Sequence, residues 1–177
     1  MKPLKIITIP NPLLRQISKP VSKIDPKILK FIKTLENTLS KTSNPPGVGL
    51  SAIQTATPLQ IFCTLLPNQP LKTYINPQII SKSIRMTLGG PKTNPFLEGC
   101  LSIPTIYGAI KRHKWIKLKW LDKNNQTHTQ KFSDFPARVI QHELDHLNGI
   151  LFTDHFLKNN LPLFEKNSKN QLNPIHL

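Results

Sequence analysis

The sequence predicts an α+β fold in which antiparallel β-sheets pack around a central helix carrying an H-E-x-x-H motif. Three observations lead there. Runs with strand character follow one another between two helical stretches instead of alternating with helices, which favours antiparallel pairing over a parallel α/β sheet. The run K-W-I-K-L-K-W-L-D (114–122) alternates apolar and basic residues, the pattern of a half-buried strand. The stretch Q-H-E-L-D-H-L-N-G (141–149) has helical periodicity with histidines four apart.

The elements follow in order. Residues 26–42 are expected to form a helix, because Ile28, Ile32, Leu35 and Leu39 fall on one face. Asp25 suits its N-cap and Pro26 its first position. Asn44-Pro45-Pro46-Gly47 stops it. Q-I-F-C-T-L-L (60–66) reads as a buried strand, P-N-Q-P as a turn and L-K-T-Y-I-N-P (71–77) as the returning strand. Residues 83–97 contain Gly89-Gly90-Pro91 and Asn94-Pro95 and read as a loop. In 114–122, Ile116, Leu118 and Trp120 face one way, and Lys117 and Lys119 the other. D-K-N-N-Q turns the chain, and T-H-T-Q-K-F pairs back as a hairpin. A second helix covers 134–148, with Pro136 in its first turn and Gly149 ending it.

A chain of 177 residues is expected to make one domain. Residues 1–156 are assigned to it. Residues 157–177 are read as a polar C-terminal extension, partly mobile. The 17 prolines point to many turns and irregular connections. Two cysteines make no disulfide framework. The short apolar run at the N-terminus is broken by Pro10 and Pro12, too short for a signal peptide or membrane span. With no Arg/Ser-rich transit segment either, a bacterial cytoplasm is the expected location. The net charge of +15, from 24 Lys+Arg against 9 Asp+Glu, draws the chain toward phosphate-rich surfaces such as the ribosome. The basic residues are dispersed and not interleaved with aromatics, which argues against sequence-specific nucleic-acid recognition.

On a helical wheel, residues 137–148 separate into three sectors. Ala137, Ile140, Leu144 and Leu147 form an apolar stripe; Arg138, Gln141, Asp145 and Asn148 form a polar one. Val139, His142, Glu143 and His146 occupy a third, which an ordinary surface helix does not need. His142 and His146 can share one ion, with Glu143 beside them as a general base. The third protein ligand has three candidates. A downstream histidine after Gly149 fails, because Phe152 stands there. Glu165 lies downstream in a weakly structured context. Cys100, in L-E-G-C-L-S-I-P, offers a thiolate beside the permissive Gly99. Cys63, within a strand, reads as a buried core residue.

G-V-G-L-S-A-I-Q (47–54), E-G-C-L-S (98–102) and Q-H-E-L-D-H (141–146) together resemble the three ordered motifs of the peptide deformylase family. I-P-N-P-L-L-R-Q-I-S-K-P-V, Y-I-N-P-Q-I-I, S-I-P-T-I-Y-G and A-R-V-I-Q-H-E-L-D-H-L-N-G-I-L-F-T-D extend the resemblance over residues 4–156. It implies a hydrolase that removes the N-formyl group from the formyl-methionine of new polypeptides and releases formate. It implies one divalent metal on Cys100, His142 and His146, usually Fe2+, with Zn2+, Ni2+ or Co2+ also accommodated. Glu143 would be the base, and the Gln54 amide and Leu101 backbone N–H would donate to the formyl oxygen. Gly47, Val48, Gly49, Glu98, Gly99, Tyr107 and Val139 would line the substrate, with Glu98 and Arg112 also supporting the site by charge. The partners implied are formyl-methionyl nascent peptides, bound by a monomer. Departures from the family pattern are Ser51 for Ala, Thr105 for Gly, and a longer segment over 88–96. Two alternatives remain: a metallopeptidase with a downstream ligand, and an RNA-binding protein with a structural metal.

Overall fold

The computed structural model of the chain describes residues 1–43, 45–90, 96–159, 162–169 and 171–175. Helix α1 (Pro26–Ser40) starts as the sequence predicts, with the Asp25 carboxylate accepting the Ile28 N–H at 2.8 Å. It ends earlier than the expected residue 42. The Thr42 hydroxyl donates to the Leu39 carbonyl (2.7 Å) and accepts the Gly47 N–H (2.8 Å), so the last turn hands over to the glycine segment.

Strands follow in chain order: β1 (Gly49–Ser51), β2 (Ile61–Thr64), β3 (Lys72–Lys82), β4 (Met86–Thr87), β5 (Glu98–Cys100), β6 (Ile103–Gly108), β7 (Arg112–His113), β8 (Trp115–Leu121) and β9 (Thr127–Ser133). Helix α2 (Asp134–Leu147) carries the histidines and is followed by α3 (Asp154–Asn159), β10 (Leu163–Lys166) and β11 (Leu172–Ile175). The main sheet has the order β1-β2-β3-β8-β9, a second has β11-β10-β6-β5, and β4 pairs with β7. Pairing is antiparallel in all three, the expected class.

The main sheet separates the two long helices. Ile61 and Cys63 of β2 and Ile75 of β3 pack with Ile32, Leu35 and Leu39 of α1. The alternate residues Phe62 and Tyr74, with Ile116, Leu118 and Trp120, pack with Ala137, Ile140 and Leu147 of α2. A strand covered on both faces is apolar throughout, which is why 60–66 shows no alternation. Helix α2 is thereby central, with the β5–β6 sheet on its other side.

Three expectations need correction. The strand thought to end at Pro77 runs on to Lys82. Asn76 adopts φ +49° and the register shifts between Ile75 and Gln78, so a bulge absorbs the proline. The 83–97 loop contains β4; of the longer segment, residues 91–95 lie outside the described residues. The tail expected to fray contains β10 and β11, with Leu163 opposite Gly108 and buried among Phe152, Phe156 and Ile103. Its polar composition concealed two apolar contacts, Leu163 and Ile175.

The polar stripe of α2 is also not solvated, apart from Asn148. Arg138 and Gln141 are buried. Gln141 clamps the backbone of β7, accepting the His113 N–H and donating to the His113 carbonyl, both at 3.0 Å. Among the described residues no helix is long and apolar enough to cross a membrane.

Candidate active site

Strand β5 delivers Cys100, and α2 delivers His142 and His146, to one point. Their candidate donor atoms lie within 4.8 Å of one another, and Cys100 Sγ is 3.1 Å from His146 Nε2. Burial alone would raise the Cys100 thiol. The imidazoles of His146 and His142 outweigh it and hold the thiol well below its ordinary range, which favours the thiolate a metal requires. His142 Nδ1 lies 3.2 Å from Glu98 Oε2, which leaves Nε2 free as a donor. One thiolate and two imidazoles at this spacing fit a borderline divalent ion with a coordination position left for water or substrate.

Behind the ligands lies a buried ionic cluster. Arg112 grips Glu98 with two bonds, Nε to Oε1 (2.8 Å) and Nη2 to Oε2 (2.9 Å), and reaches Asp145 Oδ2 at 2.7 Å. Arg138 adds a 2.6 Å bond to Glu98 Oε1 and donates to the carbonyls of Ile110 and Thr87. Burial works to raise the Glu98 carboxyl, but Arg112 and His142 hold it far below the usual range. Charge is thus balanced within the fold, and the His142 ring is held from behind.

Glu143 is buried beside the ligands, and its carboxyl is raised by burial against the opposing pull of His142, His146 and Ser51. The Ser51 hydroxyl donates to Glu143 Oε2 at 2.6 Å. Gly49 presents its bare Cα to the same carboxylate: a Cβ there would lie 2.3 Å from Glu143 Oε1. Gln54 is oriented by the Ser51 N–H, which donates to its Oε1 at 2.8 Å. Its Nε2 donates to Ser102 Oγ at 3.1 Å and lies 3.5 Å from Cys100 Sγ. Gly49, Gln54, Cys100 and Glu143 line a cavity of about 560 Å³.

The profile of the polypeptide deformylase family matches residues 3–161. A peptide deformylase of Brucella suis biovar 1 is 36% identical over 163 residues, covering 89% of this chain and 86% of that protein. The crystal structure of the Thermotoga maritima peptide deformylase superposes with a TM-score of 0.77 at 32% identity, covering 88% of this chain and 98% of that one. A Met-Ala-Ser-bound deformylase from Acinetobacter baumannii gives a TM-score of 0.77 at 29% identity, covering 87% and 98%. The chain belongs to the polypeptide deformylase family. It is a hydrolase of the metal-dependent kind, and its reaction is removal of the N-formyl group from nascent polypeptides.

The deformylase cavity is lined by Gly47, Val48, Gly49, Gln54, Glu98, Gly99, Cys100, Leu101, Tyr107, Val139, His142 and Glu143, the site residues anticipated from sequence except His146, which is buried beneath them. Gly99 is needed for packing, since a Cβ would lie 2.6 Å from the Tyr107 ring. Glu98 borders the cavity, but its oxygens are occupied by Arg112, Arg138 and His142, so it supports the ligands rather than offering itself to substrate. Glu165 is exposed on β10 and outside the donor cluster, which removes it as the third ligand. Asp154 pairs with Arg15, and His155 bonds Asp145, so neither joins a closed four-ligand site. Sequence reasoning missed four groups: the Ser51 bond to Glu143, Ser102, the Arg138–Glu98 contact, and the β10–β11 turn at the cavity rim. The Ala-to-Ser departure at 51 was the one signal available for the first.

Proposed function

We propose that Cys100, His142 and His146 hold one divalent ion, Fe2+ in the native protein, and that Glu143 is the general base of deformylation. The observation carrying this reading is the convergence of three donor atoms beside a buried carboxylate at the floor of the cavity. Held by these three residues, the ion would supply Lewis-acid chemistry, bringing the acidity of water from a pKa of about 15.7 to about 7. Glu143 takes a proton from the attacking water and returns it to the departing nitrogen. Burial raises its carboxyl toward the pH at which both transfers are feasible. The bond from Ser51 and the bare face of Gly49 hold the carboxylate in position.

As the formyl carbon becomes tetrahedral, its oxygen gains charge. The Gln54 Nε2 and the Leu101 backbone N–H are the donors for it, each worth about 3–4 kcal/mol in such a role. Gln54 starts preorganised, because its own carbonyl is held by Ser51. Val139, Tyr107 and the His142 ring form the wall for the methionine side chain. Gly47, Val48 and Gly49 on β1 and its approach offer main chain to an extended peptide. The enzyme acts as a cytoplasmic monomer, and its +15 charge attracts it to the ribosome surface where formylated chains emerge.

The test is formate release from formyl-Met-Ala by protein loaded anaerobically with iron, or with nickel. Glu143→Ala keeps the ion, by elemental analysis, and loses turnover by about 100-fold or more. Cys100→Ala loses the ion. Retained turnover in the first variant would remove Glu143 as base, and full metal content in the second would remove Cys100 as ligand.

A further inference from the structure

The match to the family ends at residue 161, yet the cavity does not. Its rim includes Lys166, Asn167 and Ser168, from the end of β10 and the turn into β11. The register explains how they arrive there. Glu165 pairs with Ile106 as the last β10–β6 pair, so Lys166, paired only with Leu172 of β11, stands on the side of Thr105 and Pro104, which also border the cavity. The turn is held by its own bonds: the Asn167 N–H donates to the Gln171 carbonyl at 2.9 Å, and Asn167 Oδ1 accepts the backbone N–H groups of Lys169 and Gln171. Leu163 anchors the other end of β10 in the apolar cluster. The rim is therefore a built part of the fold.

Among the described residues, the charges around the cavity single out one group. Arg138 is committed to Glu98, and Arg112 behind it to Glu98 and Asp145. Lys166 is half-buried, and its ammonium makes no ion pair or hydrogen bond among the described residues. A formylated peptide has no N-terminal cation to oppose a lysine, so the groups that can answer it are carboxylates further along the peptide.

We propose that Lys166, at the cavity rim on the β10–β11 hairpin, is a specificity-determining residue that favours substrates with an aspartate or glutamate among the residues following formyl-methionine. The proposal rests on the deformylase reading of the cavity and adds to it a side chain from outside the matched residues. The ammonium attracts the carboxylate as the peptide lies along the cleft. The effect falls on substrate capture, so it enters through KM and weakens with salt.

The metal-loaded enzyme is tested with C-terminally amidated formyl-Met tetrapeptides carrying Glu, Gln or Lys at each of the three positions after methionine, with alanine elsewhere. The expected result is a kcat/KM about two- to fivefold higher for Glu than for Lys at one or more positions, the range of a partly exposed ion pair. Lys166→Ala removes that ratio and Lys166→Glu inverts it. Equal Glu/Lys ratios in the wild type and both variants overturn the proposal. Absence of formate from every peptide with the wild type would instead overturn the reading of the site itself.

Discussion

At the scale of single residues the site depends on where a carboxylate is allowed to sit. Glu143 is confined between the Ser51 hydroxyl and the open Cα of Gly49. Gly49→Ala puts a methyl 2.3 Å from Oε1 against a side chain that is itself packed, so the base must turn away. The expected outcome is a fall in kcat of about 100-fold, in the range lost with a misplaced reacting group, with metal content unchanged. Ser51→Ala opens space instead of filling it and removes one charge-assisted bond, so kcat drops by about tenfold at most and KM holds. Steady-state kinetics with elemental analysis separates the two. A Gly49→Ala enzyme with wild-type kcat would show that the carboxylate is not so confined. Ser51 also marks the limit of reading a chain by motif. Glu143 was legible because its neighbours recur at helical spacing. Its partner lies far away in a three-residue strand, where nothing periodic points to a contact.

At the scale of elements, α2 shows what a wheel reports and what it leaves out. It separated the ligand sector from the core sector, since His142 and His146 share a face by geometry alone. It could not say that the polar sector is buried, because polarity does not name a partner. Arg138, Gln141 and Asp145 are tied to Glu98, the His113 backbone and Arg112, all outside the helix. The helix end was legible for a different reason: Gly149 has φ +71°, which glycine adopts freely. It is constrained twice, since a Cβ there would also lie 2.3 Å from the Arg15 carbonyl oxygen. Gly149→Ala is therefore expected to cost about 1–3 kcal/mol for the backbone conformation alone, with the clash in addition. The midpoint of thermal unfolding should fall by several degrees. An unchanged midpoint would mean that the Arg15 segment shifts without penalty.

At the scale of the whole molecule, the nine acidic residues stand against 24 basic ones, and two of the acids, Glu98 and Asp145, belong to the ionic cluster behind the ligands. The carboxyls of Glu98, Asp145 and Asp154 are each held low by arginine or histidine partners, against burial that would raise them. A carboxyl with a lowered folded-state pKa contributes stability that is complete above its unfolded value, about 3.9 for Asp and 4.3 for Glu. That stability drains away as pH falls below it. Glu143, raised by burial, has the opposite sign, but it is one group against four, since the Gln126 N–H and His128 hold the Asp122 carboxyl low as well. The net expectation is a protein that loses stability steeply under acid, and Glu98→Gln isolates the largest contributor. At pH 7 the variant leaves Arg112 and Arg138 facing a neutral amide and should be less stable by about 3–5 kcal/mol. Below pH 4.3 only the wild type must take up a proton at this position on unfolding, so the gap should narrow by about 1.4 kcal/mol per pH unit. Urea unfolding of the metal-stripped proteins from pH 7 to pH 3 measures this without acid release of the ion. A gap that stays constant to pH 3 would mean that Glu98 is not held ionised by its arginines.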